Sequence, residues 1–123
     1  MSEKIVILYV DDEPLNLLLF EKNFEKKYTV INAESGYQGL EKLSNYPKIQ
    51  IVISDMKMPG MNGIQFIKEA KKENSKMHFF ILTGYEITEE IANALNEKII
   101  NKYFRKETEK KYIETKLFEH WYR

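Results

Sequence analysis

Short apolar runs and amphipathic segments follow one another in a regular order along the chain. Three runs, residues 4–10 (KIVILYV), 50–54 (QIVIS) and 78–82 (HFFIL), are almost continuously apolar, which is typical of parallel strands that are covered on both faces. Two further runs, residues 28–33 and 101–104, are more polar than these three and are typical of edge strands. The pattern therefore predicts five strands, of which the three apolar ones lie inside the sheet.

A helix is predicted after each strand, because apolar residues recur there at helical spacing. The start signals are a proline suited to the first helical turn, two pairs with capping-box spacing and a threonine cap. In chain order these are Pro14, Ser35 with Gln38, Asn62 with Gln65, and Thr88; the last helix is predicted to begin near Thr108. The residues expected to face inward are Leu17, Phe20, Phe24, Leu40, Leu43, Ile64, Ile67, Ala70, Ile91, Leu95, Ile113, Leu117 and Trp121.

Five strands that alternate with five helices over short connections predict an α/β protein. Its expected architecture is a single (βα)₅ doubly wound parallel sheet with helices on both faces. Three core-like strands and two edge-like strands are compatible with the strand order 2-1-3-4-5. We therefore expect one domain over residues 1–123, with no output domain within this chain.

Composition and charge narrow the classes of function. Lysine plus arginine and aspartate plus glutamate number 19 each, so the basic surplus of a dedicated nucleic-acid binder is missing and no nucleic-acid partner is expected. The chain has no cysteine, which excludes disulfides, thiolate metal sites and cysteine nucleophiles. No run approaches the ~20 apolar residues of a membrane span, and the first run is too short for a signal-peptide core. We expect a cytoplasmic protein without a membrane partner.

Polar residues follow four of the predicted strands. Asp11 and Asp12 follow the first strand and Asp55 the third, while Thr83 ends the fourth and Lys106 comes after the fifth. Taken alone, each has an ordinary structural explanation, such as a helix N-terminus, a turn or a surface charge. Ligands of such a sheet bind outside the carboxyl ends of its strands. Together the five residues therefore predict a functional site at this edge.

The chemistry of this set favours a magnesium-dependent phosphoryl acceptor. Close carboxylate pairs repel each other by about 1–4 kcal/mol, and Mg²⁺ binds to carboxylates, waters and phosphate oxygens. Zinc is disfavoured, because the nearest histidine, His78, lies at the opposite end of its strand. A carboxylate can attack phosphorus to form an aspartyl phosphate. Asp55, in a cramped segment, is the predicted nucleophile, and the metal, Thr83 and Lys106 would contact the phosphoryl oxygens.

Four motifs carry a resemblance to a known family. YVDDEP (9–14), SDMKMPGMNG (54–63), LTGY (82–85) and KYFRKE (102–107) resemble the motifs of chemotaxis-regulator-like response-regulator receiver domains of two-component signalling. The resemblance covers essentially the whole chain and implies a flavodoxin-like fold with strand order 2-1-3-4-5. It also implies a phosphorylation-activated switch of a two-component system or phosphorelay, and not an enzyme with a turnover substrate. A sensor histidine kinase or a histidine phosphotransfer protein would supply the phosphoryl group.

The resemblance further implies a role for each site residue. The direct Mg²⁺ ligands would be Asp12, Asp55 and the backbone carbonyl of Lys57. Asp11 would act mainly through water. Thr83 would move toward the phosphoryl group, and Tyr103 would swing inward into the space that opens. This coupling would carry the signal to a surface on the fourth helix, fifth strand and fifth helix, where an unknown downstream protein would bind.

Three further expectations concern the surroundings of the site. Tyr85, two residues past Thr83, is expected at the rim, where its ring would hinder attack by water. Glu107 stands where the family usually has a proline after a cis peptide. Because a cis bond before a non-proline residue costs about 2.5–4 kcal/mol, we expect a trans peptide and a solvent-facing Glu107. The aromatic residues expected to contribute to partner contact are Tyr103, Phe104, Tyr112, Phe118, Trp121 and Tyr122.

Alternative functions stay open at this point. The chain is either a single-domain regulator or a receiver excised from a longer regulator with an output domain. A scaffold receiver that is not phosphorylated is disfavoured by five residues that phosphorylation would require. These are Asp11, Asp12, Asp55, Thr83 and Lys106. A dehalogenase-type hydrolase is disfavoured because the sequence DDEP lacks the Asp-x-Asp spacing and no insertion is long enough to cap a substrate.

Overall fold

The computed structural model describes residues 4–107 and 110–121, with only the backbone described for residues 110–111 and 118–121. Strands and helices alternate throughout. The five parallel strands form one sheet in the order β2-β1-β3-β4-β5. The elements are β1 (Ile5–Val10), α1 (Pro14–Phe24), β2 (Tyr28–Ala33), α2 (Gly36–Asn45), β3 (Ile49–Ser54), α3 (Gly63–Glu73), β4 (His78–Thr83), α4 (Glu89–Asn96), β5 (Lys102–Arg105) and α5 (Lys110–Trp121).

The predicted fold class and strand order are confirmed, including the position of the two polar strands at the edges of the sheet. The boundaries differ from the prediction by at most one residue at each strand end. Strand β4 includes Thr83, and β5 begins at Lys102. The predicted helix start near Thr108 lies outside the described residues.

One of the two predicted capping boxes is incomplete. Ser35 caps α2, because its hydroxyl accepts a hydrogen bond from the Gln38 backbone N–H at 3.0 Å. The Gln38 side chain, however, accepts from the backbone N–H of Glu34 at 2.7 Å and not from that of Ser35. The prediction was wrong on this reciprocal bond, because the glutamine reaches one residue further back. The other starts, Pro14, the Asn62–Gln65 box and the Thr88 cap, are confirmed.

Two apolar layers cover the two faces of the sheet. Alternate residues of the strands pack against α2, α3 and α4 on one face and against α1 and α5 on the other, as the 2-residue period of a strand requires. Phe104 belongs to the second layer, is only 3% exposed and packs on Phe80 with ring centroids 6.0 Å apart. The expectation that Phe104 contacts a partner is therefore wrong, because its strand position turns its ring into the core. Tyr112 is about half exposed at 47%, and the side chains of Phe118, Trp121 and Tyr122 lie outside the described residues.

The loop between β3 and α3 is held against the strand it leaves. The backbone N–H of Gly63 donates to the Met56 carbonyl at 2.8 Å. A Cβ atom at Gly63 would lie 2.2 Å from the carbonyl oxygen of Asp55 and 2.9 Å from Cδ1 of Ile81. Helix α3 can therefore begin directly against the backbone of Asp55 only because residue 63 has no side chain. Gly60, with φ +79°, supplies the turn in the same loop.

No helix in the described part of the chain combines the length and the apolar character needed to cross a bilayer.

We predict that Gly63→Ala destabilises the protein by about 1–3 kcal/mol, because the added methyl group overpacks the contact with the Asp55 backbone. Urea unfolding monitored by circular dichroism measures this change. The matched control is Gly84→Ala, since a Cβ atom at Gly84 would meet no atom within 4 Å. Equal unfolding midpoints for the two variants would contradict the assigned role of Gly63.

Candidate functional site

The carboxyl ends of the parallel strands bring three acidic residues together. Asp11 and Asp12 follow β1, and Asp55 follows β3, the neighbour of β1 in the sheet. One carboxylate oxygen from each of the three lies within 4.8 Å of the others. Asp11 and Asp55 are buried, at 0% and 6% exposure, and Asp12 is half-buried. The sequence prediction that these carboxylates share one edge of the sheet is confirmed.

Asp11 is held by three donors. Its Oδ2 atom accepts hydrogen bonds from the Tyr9 hydroxyl at 2.7 Å and from Lys106 Nζ at 2.8 Å. Its Oδ1 atom accepts from the backbone N–H of Glu13 at 3.0 Å. Both oxygens of this buried carboxylate are therefore engaged, which compensates for the loss of its hydration.

Asp55 has one fixed oxygen and one oxygen directed at Lys106. Its Oδ1 atom accepts from the backbone N–H of Met56 at 2.7 Å, and its Oδ2 atom accepts from Lys106 Nζ at 3.2 Å. The backbone N–H of Asp55 donates to the Val10 carbonyl at 2.8 Å, which joins it to the end of β1. Asp55 is therefore anchored at its backbone, and its carboxylate lies beside the ammonium group of Lys106.

Thr83 completes the edge at the end of β4. Its carbonyl accepts from the backbone N–H of Lys106 at 2.8 Å, so the two residues are neighbours. The Thr83 hydroxyl is fully buried and has no hydrogen-bond partner among the described residues. An unsatisfied buried polar group costs about 1–3 kcal/mol. A ligand with an acceptor oxygen would remove that cost.

The electrostatic balance of the site is negative. Burial raises the pKa of Asp55, and the Lys106 ammonium lowers it. The Asp11 carboxylate raises the pKa of Asp55 again, so that its net value lies above the usual one. Burial alone would lower the pKa of Lys106, but its contacts with Asp11 and Asp55 outweigh that effect and raise it. The site thus holds three carboxylates and one ammonium group, which contacts two of them, and this arrangement attracts a cation.

The residues present fit a magnesium ion. Mg²⁺ prefers hard oxygen ligands, usually one or two carboxylates together with waters and phosphate oxygens. The three carboxylate oxygens within 4.8 Å of one another supply such a set. Lys57, whose carbonyl is a predicted ligand, lies two residues beyond Asp55 in the same loop, and its Nζ atom is 4.3 Å from the centroid of the Tyr85 ring.

The two predicted aromatic site residues are joined by a hydrogen bond. The Tyr103 hydroxyl donates to the Tyr85 carbonyl at 2.7 Å, and the Tyr103 ring packs against the apolar layer that includes α3 and α4. The Tyr85 ring itself is 53% exposed. This bond ties the loop after β4 to β5, and sequence reasoning had not foreseen it.

An ionic network lies beside this bond. The Arg105 guanidinium contacts Glu86 and Glu107, each at 2.7 Å. Glu107 is 62% exposed at its side chain, and there is no cis peptide among the described residues, so the Lys106–Glu107 peptide is trans. The expectations of a trans peptide and of a solvent-facing Glu107 are confirmed, whereas the pairing with Arg105 was missed.

Tyr9 is the contact residue that sequence reasoning overlooked. It lies two residues before Asp11, and residues two apart in a strand project to the same face. A tyrosine within an otherwise aliphatic strand, placed at that distance from an acidic residue, was the available signal.

The family of the chain follows from comparison with known proteins. The profile of the response regulator receiver domain matches residues 7–118. The chain belongs to this family. The receiver domain is the signal-accepting module of two-component signalling, and its members are generally switches and not metabolic enzymes.

Named relatives agree with this assignment. Sporulation initiation phosphotransferase F of Bacillus subtilis is 35% identical over 86 residues, which cover 69% of this chain and 67% of that protein. A receiver domain from Clostridium thermocellum is 31% identical, with a TM-score of 0.75, covering 85% of this chain and 84% of that one. The response regulator TrrA of Thermotoga maritima, solved in complex with Mg²⁺-BeF, is 27% identical, with a TM-score of 0.81. The match covers 94% of this chain and 97% of that one.

Other relatives are much longer proteins. The chain spans 22% and 18% of the length of two curated relatives that are named as transcriptional regulatory proteins.

The raised pKa of Asp55 predicts a pH-dependent cost to stability. The unfolded chain titrates this group near its ordinary value of 3.8, whereas the folded protein holds the proton to higher pH, so ionised Asp55 lowers the stability of the fold. Without Mg²⁺, Asp55→Asn is expected to raise the free energy of unfolding at pH 7 by on the order of 1 kcal/mol. This gain should disappear as the pH falls through the folded-state pKa toward 3.8.

Urea unfolding across this pH range, in the presence of a chelator, measures the difference between Asp55→Asn and wild type. Glu73→Gln is the control, because Glu73 is an exposed carboxylate at the end of α3, away from the site. An Asp55→Asn protein that is less stable than wild type at pH 7 would show that Lys106 stabilises Asp55 by more than burial and Asp11 destabilise it.

Proposed function

We propose that this receiver domain, formed by residues 1–123, accepts a phosphoryl group on Asp55 from the phosphohistidine of a sensor histidine kinase or histidine phosphotransfer protein. The observation that carries the proposal is the surroundings of the Asp55 carboxylate. It lies close to the acidic pair after β1 and accepts a hydrogen bond from the ammonium of Lys106. The adjacent strand ends in Thr83, whose buried hydroxyl has no hydrogen-bond partner in the described part of the chain. We further propose that the transfer takes place in the cytoplasm.

The phosphoryl transfer needs no reactant besides Asp55 and the phosphohistidine. A carboxylate oxygen of Asp55 forms a bond to phosphorus while the bond from phosphorus to the imidazole nitrogen breaks, and its electron pair returns to that nitrogen. Lys106, already 3.2 Å from Asp55 Oδ2, donates to one phosphoryl oxygen. The Thr83 hydroxyl, which has no partner within residues 4–107 and 110–121, donates to another phosphoryl oxygen.

A bound Mg²⁺ would neutralise charge on the phosphoryl oxygens as the transfer proceeds. Its proposed ligands are Asp12, Asp55 and the backbone carbonyl of Lys57. Asp11 is proposed to act through water, because it already accepts three hydrogen bonds from protein donors, two of them on Oδ2, whereas Asp55 accepts one on each oxygen. The relative from Thermotoga maritima that was solved with Mg²⁺-BeF supports a magnesium site in a fold of this kind.

The signal is proposed to leave the site through the loop after β4. A Thr83 hydroxyl that shifts toward the phosphoryl group moves the start of this loop, whose Tyr85 carbonyl accepts from Tyr103. Tyr103 is thus the proposed switch residue, and the surface of α4, β5 and α5 is the proposed contact for a downstream protein. Half-exposed Tyr112 is available at that surface, whereas Phe104 is buried in the core.

We predict that Asp55→Asn abolishes phosphorylation by a small phosphodonor with Mg²⁺, because an amide is a poor nucleophile. Intact-mass measurement should show one acid-labile phosphoryl group on wild type and none on the variant. Glu13→Gln is the matched control, since Glu13 is an exposed carboxylate close in sequence to the acidic pair, and it should be phosphorylated like wild type. Phosphorylation of Asp55→Asn to the wild-type level would refute the assignment of the acceptor.

We predict that Tyr85→Ala shortens the lifetime of the phosphorylated state roughly threefold or more, because the ring no longer hinders in-line attack by water. The substitution leaves the backbone carbonyl that accepts from Tyr103 in place, so the loop contact is preserved. The decay of the acid-labile mass after removal of the phosphodonor measures the lifetime. The control is Tyr46→Ala, an exposed tyrosine after α2; an unchanged decay in Tyr85→Ala would exclude shielding by this ring.

A further inference from the structure

Strand β1 carries one polar side chain in an otherwise aliphatic sequence, IVILYV. The Tyr9 ring is buried at 1% exposure and stacks on Phe20 with ring centroids 4.2 Å apart. A phenylalanine would make the same ring contact, so packing alone does not explain the hydroxyl. That hydroxyl instead donates to Asp11 Oδ2 at 2.7 Å.

The Tyr9 hydroxyl acts on a carboxylate that already has other donors. Lys106 Nζ shares the same Oδ2 atom at 2.8 Å, and the backbone N–H of Glu13 holds Oδ1 at 3.0 Å. The orientation of the Asp11 side chain is thus set by contacts on both oxygens. The hydroxyl adds a third donor, and each donor lowers the negative charge that the carboxylate presents to a cation beside it.

We infer that Tyr9 acts on the metal site through Asp11: its hydroxyl donates to Asp11 Oδ2 and thereby weakens the attraction of the site for Mg²⁺. The inference rests on the proposed function, because it concerns the magnesium affinity of the same carboxylates. A site with moderate affinity can exchange its ion as the phosphoryl group arrives and leaves, whereas three fully available carboxylates would hold the ion more tightly.

Removal of the hydroxyl should therefore tighten magnesium binding. In Tyr9→Phe the ring can still stack on Phe20, and Asp11 still has its bonds from Glu13 and Lys106. The orientation of the carboxylate is kept while the negative charge it presents increases. Lys106 cannot fully replace the lost donor, because its ammonium is shared with Asp55.

The test is a calorimetric titration of the unphosphorylated protein with MgCl₂, together with the Mg²⁺ dependence of its urea unfolding midpoint. Because hydrogen bonds to charged groups are among the stronger ones in proteins, we expect the Kd for Mg²⁺ to fall roughly threefold or more in Tyr9→Phe. The metal-free midpoint should fall as well, while the increase produced by saturating Mg²⁺ becomes larger.

Two controls separate a role through Asp11 from a role in packing. Phe20→Leu disturbs the ring stack from the other side, so it should lower the unfolding midpoint and leave the Kd for Mg²⁺ unchanged. In an Asp11→Asn background the hydroxyl no longer faces a carboxylate, so adding Tyr9→Phe should not tighten Mg²⁺ binding further.

A Tyr9→Phe protein that binds Mg²⁺ with the wild-type Kd, or more weakly, would overturn the inference while leaving the proposed function intact. Equal tightening in Phe20→Leu, or tightening that persists without the Asp11 carboxylate, would overturn it as well. Failure of the wild-type protein to bind Mg²⁺ would instead count against the magnesium-dependent function itself.

Discussion

The site depends on one electrostatic constraint: two buried carboxylates must share the ammonium group of Lys106. Nζ of Lys106 lies 2.8 Å from Asp11 and 3.2 Å from Asp55, across 95 and 51 residues of sequence. A charge removed from water is tolerated only when it is paired and hydrogen-bonded. Because one ammonium cannot balance three carboxylates, the fold retains an unmet attraction for a cation.

The scaffold satisfies this constraint with rigid elements instead of mobile side chains. The hydrogen bond from the Asp55 backbone to Val10 fixes Asp55 to the first strand, and the absence of a side chain at Gly63 lets α3 start against it. The Tyr9 hydroxyl donates to Asp11, and the Tyr9 ring stacks on Phe20. Closely packed layers on both faces of the sheet keep these short distances in place.

The same edge of the sheet also contains the loop after β4, which is the proposed route of the signal. The loop after β4 is attached to β5 through the Tyr103–Tyr85 hydrogen bond and the contact between Arg105 and Glu86. Both contacts lie close to Thr83, whose hydroxyl has no partner among the described residues. A new oxygen beside Thr83 would therefore act on a loop that is held by a small number of specific polar contacts. Under the proposed function this loop is the element that changes its arrangement, since a switch requires two states of different free energy.

The sequence by itself determined the order of the elements, the buried central strands and the acidic, hydroxyl and lysine residues that gather at one edge. These features follow from local periodicity and from the geometry of any parallel sheet, so they need no knowledge of distant side chains. Only the tertiary structure decided that Phe104 faces the core, that Tyr9 holds Asp11, and that Tyr103 and Tyr85 are joined. Those contacts depend on distances of a few ångströms between side chains and backbone groups of packed elements, and no sequence pattern specifies distances of that kind.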